Sequence, residues 1–228
     1  APPSGAAAVA GLPVLTPANA PPRGAPPMAV SAGSERPLSE PELSARDAND
    51  GSVALFRYSS DGDNRGYIFW LGTTGYTRAF ENPHALGRLR VTSSGMAMGD
   101  EATLVARRRC PCWTEDRVGA NVCVDLGRNR CMALTHVTLC HGNPAAGHDL
   151  TGLAVEGYDT VAQQWMDLLG GRAAAVRSAH GVGTLELAPP PDARFRHIRL
   201  RSAAPHQDGS HSLQLCAIEL YGSLFKVG

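Results

Sequence analysis

DNRGYIFWLGTTGYTRAFENPHALGRLRVTSS, residues 63–94, is the stretch on which the fold reading turns. It is dense in aromatic and β-branched residues, and it closes on near-strict alternation, Leu89-Arg90-Val91-Thr92-Ser93. That period of two places every second side chain on one face, as a strand does, so Arg88–Ser94 is expected to be one. Tyr67–Leu71 (YIFWL), rich in strand-favouring side chains, is expected to be another. Gly72–Gly75 is expected to be a turn, and Asn82-Pro83 to break the chain.

Upstream, the character changes. Residues 1–47 hold 10 of the 17 prolines, many alanines and almost no aromatics. A segment of that composition buries too little apolar surface to offset its ordering entropy. It is expected to be a disordered or extended tail, leaving residues 48–228 as the folded domain. Val53–Tyr58 reads as a first strand, and Ser59–Asn64 (SSDGDN) as a hairpin turn. The Asp61–Gly66 run also resembles the start of an EF-hand loop, but Arg65 stands at a ligand position and no glutamate follows at the twelfth.

Downstream, short strand-like runs recur between turn signals: Asn121–Leu126, Met132–His141, Leu150–Tyr158, Trp165–Leu168, Thr184–Leu187, Arg194–Arg201 and Leu213–Tyr221. Gly95–Ala120 shows no pattern and is expected to be irregular. No run keeps a 3.6-residue period over three turns. The reading is therefore all-β, an antiparallel jelly-roll β-sandwich with an N-terminal tail.

Bulk properties narrow the function classes. The chain of 228 residues is 43% hydrophobic and 18% charged, with a formal net charge of +0. A protein that neutralises nucleic-acid phosphates needs a surplus of cations, so no nucleic-acid partner is expected. No apolar run approaches the length of a membrane span. Lys226 is the sole lysine; the remaining 20 cations are arginine. The six cysteines fall at positions 110, 112, 123, 131, 140 and 216, and there is no Asn-X-Ser/Thr acceptor. Residues 1–47 lack the charged and continuous apolar regions of a signal peptide. These features point to an intracellular, cytoplasmic setting, with an extracellular one as the alternative.

Catalytic patterns are missing: no G-x-S-x-G, H-E-x-x-H, P-loop or dinucleotide fingerprint occurs, and no enzyme activity or cofactor is expected. Cys110-Pro-Cys112 has one intervening residue where zinc sites usually have two to four, so no metal is expected. A disulfide involving Cys110 or Cys112 stays open. His136 and His197 lie inside alternating strands and are expected to be hydrogen-bonded structural residues; Phe69 and Trp70 are expected to pack rather than bind.

Several blocks, in order, resemble a discoidin domain, also called the coagulation factor V/VIII type C or galactose-binding-like jelly roll. They are Leu89–Ser94 (LRVTSS), Val122–Gly127 (VCVDLG), Val155–Tyr158 with Trp165, Arg196–Leu200 (RHIRL) and Ile218–Gly222 (IELYG). Asn64–Tyr67, Gly72-Thr73, Tyr76–Arg78 and Glu81–Pro83 are similar to the intracellular branch of that family, found in BTB-domain proteins and some HECT-type ubiquitin ligases. Two departures stand out. No cysteine precedes 110 to form the bridge that brackets extracellular members, and Asn121-Val122-Cys123 stands where an aromatic residue is usual.

The resemblance implies ligand contacts on loops at one end of the sandwich: Gly95–Thr103, Arg107–Ala120 and His141–Asp149. Loops on a rigid scaffold are a common seat for binding residues. The candidates are Met96 and Met98 as adaptable contacts, Arg107, Arg108 and Arg109 as forked donors, Trp113 as a stacking plane, and His141, Asn143 and His148 as polar contacts. The expected function is a non-catalytic module that binds a protein or peptide through those loops, an adaptor or scaffold part of a larger protein, with a ubiquitin-ligase relation implied by the resemblance. A carbohydrate-binding module and a structural tile in a large assembly are the alternatives.

Overall fold

The computed structural model describes residues 53–143, 145, 147–177 and 181–227. The expected tail, residues 1–47, lies outside them. The elements run β1 (Ala54–Phe56), α1 (Tyr67–Gly72), β2 (Arg90–Ser93), β3 (Met96–Met98), a 3-10 helix (Glu101–Val105), β4 (Cys112–Thr114), β5 (Asn121–Asp125), β6 (Arg130–His141), β7 (Leu153–Asp159), β8 (Gln164–Asp167), β9 (Val182–Glu186), β10 (His197–Ser202) and β11 (Gln214–Lys226).

Two antiparallel sheets face each other. One has the order β3-β4-β11-β6-β9, with β1 also paired to the far end of β11; the other has the order β2-β5-β10-β7-β8. This is the all-β, two-sheet antiparallel sandwich that the sequence leads one to expect. Alternation decides which side chains enter. In β5 Val122 and Val124 are buried, in β10 Ile198 and Leu200, and in β7 Leu153 and Val155. They meet Met132, Leu134, Val137 and Leu139 of β6 and Ile218 and Leu220 of β11 in one core. At about 25 cal/mol per Å2 of apolar surface withdrawn from water, this burial is the main favourable term in the fold.

Residues 67–72 depart from the expectation: the expected strand Tyr67–Leu71 is the helix α1. Its cap comes from across the molecule. The carboxylate of Glu219, on β11, accepts hydrogen bonds from the backbone N–H groups of Ile68 (2.7 Å) and Phe69 (3.1 Å). A helix leaves its first N–H groups unpaired, and a carboxylate there also answers the positive end of the helix dipole. Gly66 permits this, because a Cβ at that position would lie 2.2 Å from the Glu219 side chain. Tyr67, Ile68 and Leu71 then bury one helical face. Trp70 packs edge-on against Phe56 at 5.5 Å, and Phe69 stacks on Phe80 at 5.9 Å.

The turn before α1 is not a hairpin. Asp63 accepts from the backbone and hydroxyl of Ser59, from the N–H of Arg65 and from the hydroxyl of Tyr221. That fan of donors turns the chain onto the sheet and into the helix rather than back into a strand. Gly95–Ala120 is also more regular than expected. It contains β3, β4 and the 3-10 helix, whose cap is the Asp100 carboxylate accepting from Thr103 N–H. Strands of three residues are too short to show alternation, which is why the pattern is invisible in the sequence.

Candidate functional site

The register gives the sandwich two distinguishable ends. In the pairing of β2 with β5, Ser93 stands beside Val122 at one end and Arg90 beside Asp125 at the other. The longer β6 runs from Arg130 to His141.

The end holding Ser93, Asn121 and His141 carries most of the expected binding residues. Met96 and Met98 lie on β3 across from Thr114 and Trp113 of β4. Met96 packs against the core, whereas Met98 is 45% exposed. Trp113 is half-buried, and its indole Nε1 is enclosed with no hydrogen-bond partner among the described residues. Arg108 and Arg109 are exposed.

His141 is fully buried. Its Nδ1 accepts from the N–H of Asn143 (3.0 Å), which leaves Nε2–H to donate to the carbonyl of His148 (2.9 Å). Burial lowers its pKa, so the neutral ring is favoured. Asn143 donates to Gln214 Oε1 (2.7 Å) and accepts from the N–H of Ala145. His148 Nδ1 lies 2.8 Å from Asp208 Oδ2. Desolvation works to raise the Asp208 pKa, but the hydrogen bonds from His148 and the Ser210 backbone hold it well below the usual carboxylate range.

Arg107 goes elsewhere. Its backbone is left-handed, with φ 54. Its guanidinium lies over the Phe69 ring at 4.7 Å, pairs with Glu219 at 3.1 Å and donates to Asn64 Oδ1 at 2.8 Å. It therefore braces α1 against β11. His136 and His197 are both half-buried strand residues: His136 stacks on Tyr58 and meets Thr135 Oγ1, and His197 stands 3.6 Å from Asp125.

The loop between β10 and β11 adds residues that the sequence reading left unnamed. His206 accepts from the N–H of Gly152 through Nδ1, and its Nε2 is buried without a partner among the described residues. Burial also lowers its pKa. His211 meets Ser202 Oγ through Nδ1 and gives its N–H to Asp116. The polar density of His206–Gln214 (HQDGSHSLQ) is the one local signal that could have pointed here. Its proximity to His141–Asp149 is set by strand order alone.

The cysteines form no shared centre with these histidines. Cys110 is exposed and Cys112 buried, donating to the carbonyl of Asp100. Burial pushes the Cys112 thiol up to about 12 and that of Cys123 up to about 11. Cys140 and Cys216 adjoin across β6 and β11. Among the described residues, no three His, Cys, Asp or Glu side chains converge as a metal ion would require.

The other end holds a cavity of about 730 Å3. Five arginines and one aspartate are among the residues that line it: Arg88, Arg90, Arg128, Arg130, Arg196 and Asp125. Gly127, with φ 94, forms part of its wall; a Cβ there would come 3.1 Å from the carbonyl of Arg88. None of these arginines stood among the sequence-derived candidates, since they are scattered over a hundred residues and only the turns at 83–90 and 125–130 and the start of β10 gather them.

No family model matches the chain. Among solved structures, a fucolectin from striped bass (Morone saxatilis) serum is similar at 11% identity and a TM-score of 0.47, over 60% of this chain and 46% of its own. A family 32 carbohydrate-binding module from Clostridium perfringens NanJ, solved with galactose, is similar at 10% identity and a TM-score of 0.46, over 59% of this chain and 94% of its own. A fucose-binding module from Streptococcus pneumoniae is similar at 12% identity and a TM-score of 0.42, over 58% and 92%. This chain thus spans just under half the length of the fucolectin.

Proposed function

We propose that the chain is a non-catalytic carbohydrate-binding module whose ligand docks at the end holding Trp113, His148 and the 203–214 loop. The observation that carries this reading is a pair of enclosed nitrogens, Trp113 Nε1 and His206 Nε2, that have no hydrogen-bond partner among the described residues. Burying a polar group without a partner costs about 1–3 kcal/mol, so such atoms mark where a water or ligand hydroxyl completes the structure. Around them stand the amide groups of Asn143 and Gln214, the imidazoles of His206 and His211, and the flat indole of Trp113. Sugars are recognised by that combination: a planar apolar face for the C–H side of the ring, and fixed donors and acceptors for its hydroxyls.

Binding without catalysis is supported by the state of the acid–base groups. Glu156 is clamped by Arg199 (2.6 Å) and Arg201 (2.7 Å), and Asp125 by Arg196 (2.7 Å). The thiols of Cys112 and Cys123 are pushed towards the unreactive protonated form.

The test is a calorimetric titration with galactose, N-acetylgalactosamine and fucose, backed by a glycan array. Saturable binding is expected, with at least a tenfold loss in Trp113→Ala and in His206→Leu, each checked by circular dichroism for an intact fold. Silence across both assays would overturn the proposal.

A protein or peptide ligand is the second reading. It is favoured by exposed apolar and cationic side chains in the stretch from β3 to β5: Met98, Val118 at 84% exposure, Arg108 and Arg109. An adaptor role in an intracellular, ubiquitin-ligase-associated protein goes with it, and six cysteines in the free form support that setting. Capture of a partner that is lost in the Arg108→Ala/Arg109→Ala variant, with no response to glycans, would select it.

A further inference from the structure

We infer that the arginine-lined cavity at the opposite end is a second binding site, one that takes an oxyanion carrying two or more negative charges, a phosphate or sulfate group on a small ligand. This goes beyond sugar binding at the Trp113 end and does not depend on it.

The charges around this cavity are unequally neutralised. Among the described residues, of the five arginines around the cavity Arg196 alone is paired with a carboxylate: its Nε lies 2.7 Å from Asp125 Oδ1 and its Nη2 2.7 Å from Oδ2. That pair uses up the one carboxylate in the wall. Arg130 is held by neutral oxygens, donating to the carbonyl of Arg88 at 2.9 Å and reaching the Tyr67 hydroxyl at 3.4 Å. Arg88 is likewise held by the carbonyl of Leu71 and by Thr74 Oγ1. These contacts fix the two guanidinium groups in place without cancelling their charge. Arg90 and Arg128 are exposed at the rim and make no side-chain hydrogen bond or ion pair among the described residues. Among the described residues, four arginines lining one concave space therefore have no carboxylate partner, in a chain whose formal net charge is +0.

Like charges gathered around one recess repel one another, and a multivalent anion is the counter-charge that relieves this. The composition selects the anion. Guanidinium offers forked N–H pairs that match the oxygens of phosphate and sulfate, and every cation lining this cavity is arginine. His84 adds a neutral donor: its Nδ1 accepts from the N–H of Val91 (3.0 Å), so the ring proton sits on Nε2. A volume of about 730 Å3 is in the range of small-molecule sites and larger than one tetrahedral ion needs.

The test uses the full chain and inorganic pyrophosphate, inorganic sulfate and acetate, titrated calorimetrically at constant ionic strength. One saturable site for pyrophosphate or sulfate is expected, and none for acetate; the tighter of the two anions assigns the group. The Arg90→Gln/Arg128→Gln variant is expected to weaken that site at least tenfold with its melting temperature unchanged, because neither guanidinium holds any part of the fold. The Arg108→Gln/Arg109→Gln variant, altered near the other end, is expected to bind the anion as the native chain does. The proposal is overturned if neither anion saturates, if acetate binds equally, if the first variant binds like the native chain, or if the second loses the site. Galactose titrations of the same variants keep the two sites apart, since the first variant should leave any sugar response intact.

Discussion

The two ends of this sandwich are built on opposite principles. At the His141 end, polar side chains are numerous and mostly satisfied by one another: His141 spans Asn143 and His148, Asn143 holds Gln214, and His148 holds Asp208. At the Arg130 end, polar side chains are few in kind and their charge is left over. The first arrangement locks loops together, so removing a member should cost stability. In the second, the rim arginines Arg90 and Arg128 hold nothing among the described residues, so removing them should cost only affinity. Polar richness and binding capacity are therefore different things, and the sequence shows mainly the former.

The sharpest probe of spent polarity lies between the ends. Glu219→Ala would leave the Arg107 guanidinium and the first N–H groups of α1 without their acceptor. A loss of about 3–5 kcal/mol is expected, measured by urea denaturation at pH 7, as for other broken buried pairs. Glu219→Gln should recover part of it.

Glu219 also predicts a pH dependence. Burial, opposed by Arg107 and by the N–H groups of Leu220, Ile68 and Phe69, pushes its pKa up to about 7. Folded Glu219 thus holds its proton more tightly than the unfolded residue does. Its contribution to stability is full below the unfolded value near pH 4.5 and is lost as pH rises through about 7. The window is worth on the order of 3 kcal/mol at 1.36 kcal/mol per unit. Unfolding free energies taken from pH 4 to 8 should show Glu219→Gln gaining on the native chain across that interval; parallel curves would refute the assignment.

A smaller effect is expected at the loop end. His141→Ala strips a partner from the Asn143 N–H and the His148 carbonyl and leaves a void, for a loss of about 2–3 kcal/mol in the same assay. Smallest of all is Arg128→Gln at the cavity rim, expected within about 0.5 kcal/mol of the native chain. If Arg128→Gln destabilised as much as His141→Ala, the contrast between the ends would collapse.

How much of this was legible depends on the range of the forces involved. The alternation in Val122–Asp125, His197–Arg201 and Leu89–Ser93 is a property of neighbouring residues, so these strands and their buried faces could be read directly. Met98, Arg108, Arg109, Trp113 and His148 were named as candidates and are wholly or partly exposed, whereas Arg107, His141 and Asn143 serve as internal struts. Residue type alone does not separate those roles, because a buried amide and an exposed one look the same in a sequence. The 203–214 loop and the arginine cavity escaped notice because no local pattern joins their members.

The sequence by itself determined the all-β class, the position of most strands and which residues of each face inward, since a period of two needs only adjacent residues. Tertiary structure alone decided that residues 67–72 form a helix, because the carboxylate that caps it lies 150 residues away on β11. It alone decided which arginines share a cavity as well. Pairing of β2, β5 and β10 brings Arg90, Asp125 and Arg196 to one edge, and whether a charge is paired or left over is settled only there.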